Sequence, residues 1–578
     1  MFFIDRLTLF SIISIIRFTN AKDVHILNPY NNTLSTLIVI LNAIGYRVKQ
    51  AKFFFGDFKE SSGQSMFMST RKEACELAFN YSKIVCKRLN LIENHKNIED
   101  NLALQSYISK LIYNESEFYL QRINYIKEVS KSNKNIVLLL QKPKYIDEDF
   151  IKNYSDFKIK FYGFNLSSII KQQLKLFLLE LLSVINTKII KQKKLSYNTT
   201  ISIATDTIDI ESSNRHFPHW LNKKNFKDFI IINKNNRVNL ADNYMQKNRI
   251  SILDKWAIPY LPNKKNKLKI KRQNLIKKNL AIRIKKFYSL SNGILYLLKK
   301  NNCSKAIFTD AQDPIIDAVI LCKKNHSIET FCIQYSNLPF PTPLNISPVD
   351  NYLIFSKHYE KIFQWDNIVP KNFIETGYTF SNLLKHESLK NLKDNLNSIG
   401  VNKVISFFDE SIQYTNWGMI SFDHVKSEYE FLARFILSNN DYAILIKSKF
   451  VKNSLSIFNS KIIKRAMQTN RLIELKEGDH RNEILPYQLG KISDHAISNY
   501  VGGTSGIEAA LAGSNVFFMN PYKLIHDLDD IFLKHKVVFD NLEDIFNRGI
   551  YKKNYSLNVR SFLKEIINSK TSIQEILC

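Results

Sequence analysis

No two of the six cysteines (Cys75, Cys86, Cys303, Cys322, Cys332 and Cys578) form a CxxC pair, and no histidine stands at zinc-ligand spacing. That scatter argues against a structural metal and a disulfide framework, and suits a reducing cytoplasm. Nor does any apolar run reach the roughly twenty residues that a bilayer requires. The best stretch, Leu174–Ile185, carries Lys175 and Glu180 and reads as a core helix. At the N-terminus Asp5 and Arg6 precede a mostly apolar Leu7–Ile16 closed by Arg17, the reverse of a signal peptide's order. Phe2–Asp5 therefore reads as a strand and Leu9–Ile16 as the helix after it. There is no Walker loop, no GxGxxG fingerprint, no recognised DNA or RNA module, no internal repeat and no low-complexity linker.

What is present is a long, basic, apolar-rich chain. At 578 residues it exceeds one core, and two to four domains are expected. Hydrophobic residues make up 45%, with 40 Phe and 27 Tyr, ample for globular folding. Lys and Arg number 82 against 53 acidic residues, a net charge of +29. AT-rich coding alone could raise Lys, Asn and Ile, yet the field still favours nucleotide phosphates, phospholipid surfaces or nucleic acid.

Along the chain, short apolar runs alternate with helical periodicity, the pattern of parallel sheets with crossover helices. Strands are expected at Phe2–Ile4, Val24–Leu27, Tyr46–Phe54, Asn135–Leu140 and Lys158–Tyr162, with a long helix from Ser167 to about Ile190. After a polar, basic break at Lys191–Thr200 come strands Phe226–Asn233 and Arg249–Leu253. The stretch 263–302 is the most basic, with Leu, Ile and Phe at helical spacing between the charges. That suits an amphipathic helix on an anionic membrane surface, or a surface helix packed on its own domain. Strands ending at Asp310, Ser336, Ser356 and Thr379 follow, and ligands collect outside the carboxyl ends of such strands. Asp310, Gln312, Asp313, Gln334, Tyr335 and Asn337 thus form a cleft rim.

The domain division expected is 1–385, a connector at 386–402, and 403–578 with a helical tail. In the last part Val404–Asp409 opens a sheet, Tyr442–Ile446 leads into Lys447, and Ala496–Val501 ends on Gly502 and Gly503. Thr504 and Ser505 can cap the helix that follows, and Gly506 leaves its first turn open. Such a turn presents backbone N–H groups to phosphate. Glu508, one turn in, could reach a ribose hydroxyl. An ordinary close-packed strand–helix turn would use the same residues. His495 reads as buried rather than catalytic.

The segment Ser493-Asp-His-Ala-Ile-Ser-Asn-Tyr-Val-Gly-Gly-Thr-Ser-Gly-Ile-Glu-Ala-Ala-Leu-Ala-Gly513 resembles the donor segment of GT-B glycosyltransferases. Thr330–Ser356 is similar to a segment of bacterial capsule enzymes and teichoic-acid glycerophosphotransferases, except that Tyr335-Ser336 replaces its His-Gly. Gly377-Tyr378 and Lys447-Ser-Lys-Phe450 resemble two further elements, the second without its usual His and Pro. The resemblance implies an α/β fold of GT-B type: two Rossmann-like parallel-sheet domains facing a cleft, the N-terminal one enlarged. It further implies a metal-independent enzyme with no cofactor, moving a sugar from a nucleotide-sugar donor to a surface polysaccharide or lipid-linked glycan acceptor. Gly502, Gly503, Thr504, Ser505, Gly506, Glu508, Lys447 and Ser411 would bind the donor, and Asp310 or Asp313 would be the base. The protein would be cytoplasmic, free or at the inner face of the membrane, with no specific nucleic acid. A CDP-polyol glycerophosphotransferase, a nucleotide-sugar epimerase and a basic binding protein are the alternatives.

Overall fold

The computed structural model describes residues 2–18, 23–28, 34–88, 98–130, 136–163, 170–179, 181–182, 199–204, 229–233, 250–254, 258, 260–261, 275–308, 314–323, 326–378, 388–409, 416–448, 455–476, 484–551, 555–568, 571 and 576. Within them the chain forms an α/β fold of three sheets, and every strand pairing is parallel.

The first sheet holds β1 (Phe2–Ile4), β2 (Asp23–Ile26), β3 (Arg47–Gln50), β4 (Val137–Gln141) and β5 (Lys158–Tyr162), in the order β3-β2-β1-β4-β5. Its helices are α1 (Leu9–Phe18), α2 (Leu34–Ala43), the long α3 (Met66–Arg88) and α4 (Ile98–Val129), and the short α5 (Glu148–Lys152). A further helix, α6 (170–179), continues in helical turns at Leu181 and Leu182. The second sheet is built from β6 (Thr199–Ala204), β7 (Phe229–Asn233), β8 (Ile250–Asp254), β9 (Cys303–Phe308), β10 (Glu329–Ile333), β11 (Asn351–Ile354) and β12 (Asn372–Glu375). Its order is β12-β11-β10-β9-β6-β7-β8, with α7 (Leu275–Lys300) and α8 (Pro314–Cys322) on either side of β9 in sequence. The enlarged N-terminal part thus carries two sheets.

The third sheet contains β13 (Lys403–Phe408), β14 (Tyr442–Lys447), β15 (Leu472–Glu474), β16 (His495–Asn499), β17 (Asn515–Met519) and β18 (Val538–Phe539), ordered β15-β14-β13-β16-β17-β18. Its helices are α9 (Ser388–Ser398), α10 (Phe422–Ser438), α11 (Lys461–Gln468), α12 (Pro486–Ile492), α13 (Thr504–Leu511), α14 (Asp529–Lys534) and α15 (Tyr555–Ile566). All three sheets share one plan: the first strand of each lies beside its fourth, so strand order reverses at β1/β4, at β6/β9 and at β13/β16. Ligands of open parallel sheets bind at such reversals, outside the carboxyl ends.

Packing corrects several sequence readings. In α9 Leu396 is buried, and Leu389 and Leu392 pack on the same core as Val404 and Leu445. Those residues belong with the third sheet rather than standing apart as a connector. In the basic stretch, α7 buries Leu280, Ile284, Phe287, Leu290, Ile294 and Leu298 within the protein. Its apolar face is therefore covered by protein, not left for a bilayer; residues 263–274 lie outside the described residues. The reverse holds for α6, read from sequence as a core helix. Leu176 packs with Ile282 of α7, but Ile170, Leu174, Phe177 and Leu181 are 56, 57, 61 and 57% exposed. Burial of one edge while a stripe at helical spacing stays outward is the signature of an amphipathic surface helix. Among the described residues no helix is long and apolar enough to cross a membrane.

The first and third sheets meet at a small residue. A Cβ on Gly56 would fall 2.1 Å from the carbonyl oxygen of Met419, so only glycine allows this approach. Beside it Trp417 packs edge-on against Phe53, at 4.9 Å between ring centroids, and sits under the Arg122 guanidinium at 4.1 Å. Its indole N–H donates to Asn28 Oδ1 at 2.9 Å.

Candidate active site

The reversal at β13/β16 opens onto a cavity of ≈ 400 Å³ between the second and third sheets. One wall is the carboxyl edge of the third sheet: Phe408 and Asp409 after β13, Lys447 ending β14, and Gly502, Thr504 and Ser505 after β16. The facing wall is the loop after β10, with Tyr335, Asn337 and Phe340, joined by Tyr378 beyond β12. Helix α3 of the first sheet's layer adds Phe67 and Arg71.

The turn at 502–506 is shaped by steric need. Gly502 has φ +74°, the left-handed region that favours glycine. A Cβ on Gly506 would lie 2.8–2.9 Å from Phe518, Ser498 and Val516, so this glycine seats α13 on the sheet rather than opening it to a ligand. Thr504 and Ser505 do not cap the helix. The N-cap is Gly503, with no side-chain cap bond. Thr504 Oγ1 instead accepts the backbone N–H of Asn337 at 2.8 Å, joining the two walls. The N–H groups of Thr504, Gly506 and Ile507 are bonded to Gly502 and Gly503 carbonyls. Those of Gly503 and Ser505, with the Ser505 hydroxyl, have no partner among the described residues. The donor set at the turn is thus narrower than the sequence suggested.

Glu508 is placed differently from expectation. Its carboxylate is buried, accepting from Tyr378 O–H at 3.0 Å and Tyr487 N–H at 3.3 Å, and it does not line the cavity. It holds the two walls together. Gln334 is also structural, donating to the Ser336 carbonyl at 3.1 Å and accepting Phe355 N–H at 2.8 Å. Asp310, Gln312, Asp313 and Ser411 lie outside the described residues. His495 is buried, as read, and burial pulls its pKa down to about 4.

One residue, Arg71, escaped the sequence, while Asn337, named there for the cleft rim with Tyr335, does line the cavity. Arg71 donates its Nε–H to Tyr113 O–H at 2.9 Å, with Glu117 3.7 Å from the same nitrogen. Its terminal amino groups have no hydrogen-bond partner among the described residues, and Arg71 lines the cavity together with Lys447. Asn337 is fully buried, its Oδ1 accepting from Tyr359 O–H at 2.8 Å and bonded to His526 Nε2 at 3.1 Å. Leu528 N–H donates to His526 Nδ1 at 3.1 Å, so the ring proton sits on Nε2, and burial depresses the ring's pKa to about 3. Two donors on Oδ1 fix the amide's orientation and leave Nδ2 without a partner. An unmatched buried donor costs about 1–3 kcal/mol, which a ligand acceptor would offset. No local pattern marks Arg71, since it reaches the cleft only through the packing of α3.

Asp409 Oδ2 accepts from Tyr429 O–H at 2.6 Å and Ser448 O–H at 2.9 Å, which fixes a carboxylate at the rim. Arg71, Lys447, the Ser505 backbone N–H and the buried Asn337 amide thus lie around one cavity, a set that suits an anion. Among the described residues no group of three or more His, Cys, Asp or Glu side chains is arranged to hold a metal.

No family model matches the sequence, and no curated protein matches it. Among solved structures, a glycosyltransferase from Rickettsia africae aligns over 64% of this chain and 95% of its own, at 13% identity and TM-score 0.37. The wall teichoic acid polymerase TagF aligns over 72% and 96%, at 12% identity and TM-score 0.36. The UDP-GlcNAc 2-epimerase of Neisseria meningitidis, bound to UDP-GlcNAc, aligns over 64% and 94%, at 12% identity and TM-score 0.36. Likeness this distant decides nothing about activity, and the chemistry rests on the chain's own side chains.

Proposed function

We propose that the chain is a glycosyltransferase of GT-B type, moving a sugar from a nucleotide-sugar donor to a surface polysaccharide or lipid-linked glycan. The observation that carries it is the convergence of Arg71, Lys447 and the Gly502–Ser505 turn on one cavity at a strand-order reversal. Transfer breaks the bond between the sugar's anomeric carbon and the nucleotide phosphate oxygen. The acceptor oxygen bonds that carbon, and its proton passes to Asp310 or Asp313. Charge grows on the departing phosphate, and preorganised donors facing it lower the barrier. Lys447, Arg71 and the Ser505 N–H take that role, the place a metal holds in other transferases. Asn337 Nδ2 binds an oxygen of the donor.

Titration calorimetry with UDP, CDP, GDP, CMP and CDP-glycerol tests this reading. One nucleoside diphosphate should bind, and Lys447→Met or Arg71→Met should weaken it about tenfold to a hundredfold, the worth of a charge-assisted hydrogen bond. EDTA should leave turnover unchanged. Failure of every nucleotide to bind would sink the transferase reading, and preference for CDP-glycerol would move it to polyol phosphate transfer.

The outward stripe of α6, flanked by the exposed Lys171 and Lys175, replaces 263–302 as the surface that meets an anionic membrane at its cytoplasmic face. Flotation with vesicles containing phosphatidylglycerol should carry the protein up. Leu174→Asp with Phe177→Asp should leave it at the bottom of the gradient.

A further inference from the structure

A second cavity of ≈ 530 Å³ lies at the reversal of the first sheet, which the sequence reading did not separate from the rest of the N-terminal part. Its floor is the carboxyl end of β4, Gln141 and Lys142, with the following Lys144 and Tyr145. On the β1 side the crevice is filled. Asp5 accepts Arg122 Nε–H at 2.8 Å and Asn28 Nδ2–H at 2.9 Å, so the opening falls on the β4 side. Helix α4 supplies one flank, and Arg283 of α7 with Pro314 of α8 supply the other. The carboxyl ends of two sheets thus look into one space. Leu344 lies on the wall of this cavity and of the first.

The polar lining carries excess positive charge. Glu115 accepts the backbone N–H groups of Lys144, Tyr145 and Ile146 at 2.6, 2.7 and 3.2 Å, which compensates its charge and fixes that loop. Lys110 is taken up by Asp317 and Ser347, each at 2.8 Å, and Lys142 has Glu148 at 3.4 Å. Arg283 is held by its Nε–H bond to Tyr145 O–H at 3.1 Å, and among the described residues its terminal amino groups have no partner. Among the described residues the Lys144 ammonium makes no hydrogen bond or close ion pair, and its charge acts on the already satisfied Glu115 carboxylate. Between these cations lie flat apolar surfaces: Phe118, Tyr145, and Tyr107, the last stacked on Phe287 at 4.2 Å. Aromatic faces beside a few fixed charged groups are how a pocket takes a ring that is polar at its edge and carries an anion.

We propose that this second cavity binds an anionic saccharide, a sugar phosphate or sugar acid, and that it holds the acceptor for the first. The acceptor role rests on the transfer reading; the binding site does not. A nucleotide is the weaker fit, because the backbone N–H groups that would cradle its phosphates are bonded to Glu115, and Pro143 stands where a glycine turn would. Long cationic side chains alone meet the anion here, and they accommodate carboxylate and phosphate alike.

The test is calorimetry on the full chain with glucose 1-phosphate, glucuronate, glucose, inorganic phosphate and UDP. Glucose 1-phosphate and glucuronate should bind at least tenfold more tightly than glucose or phosphate. Lys144→Gln with Arg283→Gln should weaken both at least tenfold while UDP affinity stays within twofold. Lys144→Gln alone should weaken both measurably, and its exposed side chain makes it safe for folding. Equal binding of phosphate and sugar phosphate, displacement of the saccharide by UDP, or affinity unmoved by the Lys144 change would each overturn the site. If none of UDP, CDP, GDP, CMP and CDP-glycerol binds while the saccharide anions bind and respond to the variants, the transfer reading fails and this site stands.

Discussion

Single residues in the cleft divide into those that hold the walls together and those that face the ligand. Thr504 and Ser505 are neighbours in sequence, yet their hydroxyls serve different ends. Thr504→Val leaves the Asn337 N–H buried without an acceptor, so unfolding stability should fall by about 1–3 kcal/mol, and nucleotide affinity with it. Ser505→Ala should weaken nucleotide binding and leave the denaturation midpoint where it was. Equal loss of stability in both variants would show that the turn is structural throughout. The sequence identified the turn as able to meet an anion, because glycine spacing and helix N-terminal chemistry are local. It could not tell which hydroxyl faces inward, because the group that claims Thr504 comes from a loop of another sheet.

Two buried histidines give a residue-scale pH dependence. Burial holds His495 at about 4 and His526 at about 3, against an ordinary 6.5. Their neutral rings are favoured by the fold at and above pH 6.5, and that stability is lost as pH falls toward those values. Urea denaturation should be flat from pH 8 to 7. Between pH 6.5 and 4 it should show a decline on the order of 3 kcal/mol for each ring. His526→Gln should make the decline shallower; an unchanged slope would place the acid sensitivity elsewhere.

At the scale of elements, the seat of α13 on β16 and β17 decides whether the turn keeps its shape. Gly506→Ala would press a methyl group into Phe518 and Val516, costing about 1–3 kcal/mol and shifting the Ser505 N–H from the cavity. Chemical denaturation and nucleotide titration of one variant would check both effects. Strand positions were the most legible part of the chain: Lys158–Tyr162 was read at its observed bounds. Misreadings have a common cause. β6 has no counterpart among the expected strands: its first two residues fall in the break at Lys191–Thr200, and its Thr-Thr-Ile-Ser-Ile-Ala run is half polar and follows a basic stretch. α6 reads as core, and for the stretch holding α7 the sequence left a membrane surface and its own domain both open, because periodicity reveals an apolar face without saying what covers it. The same limit hid the division of the N-terminal part into two sheets. A list of strands does not state how they pair, and β6 was needed to see that β6–β8 extend the second sheet rather than the first.

At the scale of the whole molecule, the three sheets are joined side by side through contacts that no single element contains. Trp417 is the chief one between the first and third, gripped by aromatic rings and the Arg122 cation. Trp417→Ala should cost about 3–5 kcal/mol. Amide exchange should then quicken at Phe53–Phe58 and at 416–420 before it does in the sheet cores. Exchange rising evenly everywhere would mean that the sheets unfold as one unit.

Past α15 the chain also returns to the second sheet. Beyond α15, Asn568 N–H donates to the Phe355 carbonyl at 3.0 Å and Thr571 N–H to the Glu375 carbonyl at 3.3 Å, both at the edge of the second sheet. The third sheet is therefore fastened to its neighbours at both of its ends, by 416–420 on one side and this return on the other. Covalent continuity at 379–387 then becomes dispensable. Residues 1–385 and 386–578 made as separate polypeptides in one cell should find each other, co-purify at one-to-one stoichiometry and restore nucleotide binding. The fragment 386–578 truncated before Tyr555 should not, which makes the last helix and its return a clasp between two pieces rather than a trailing end.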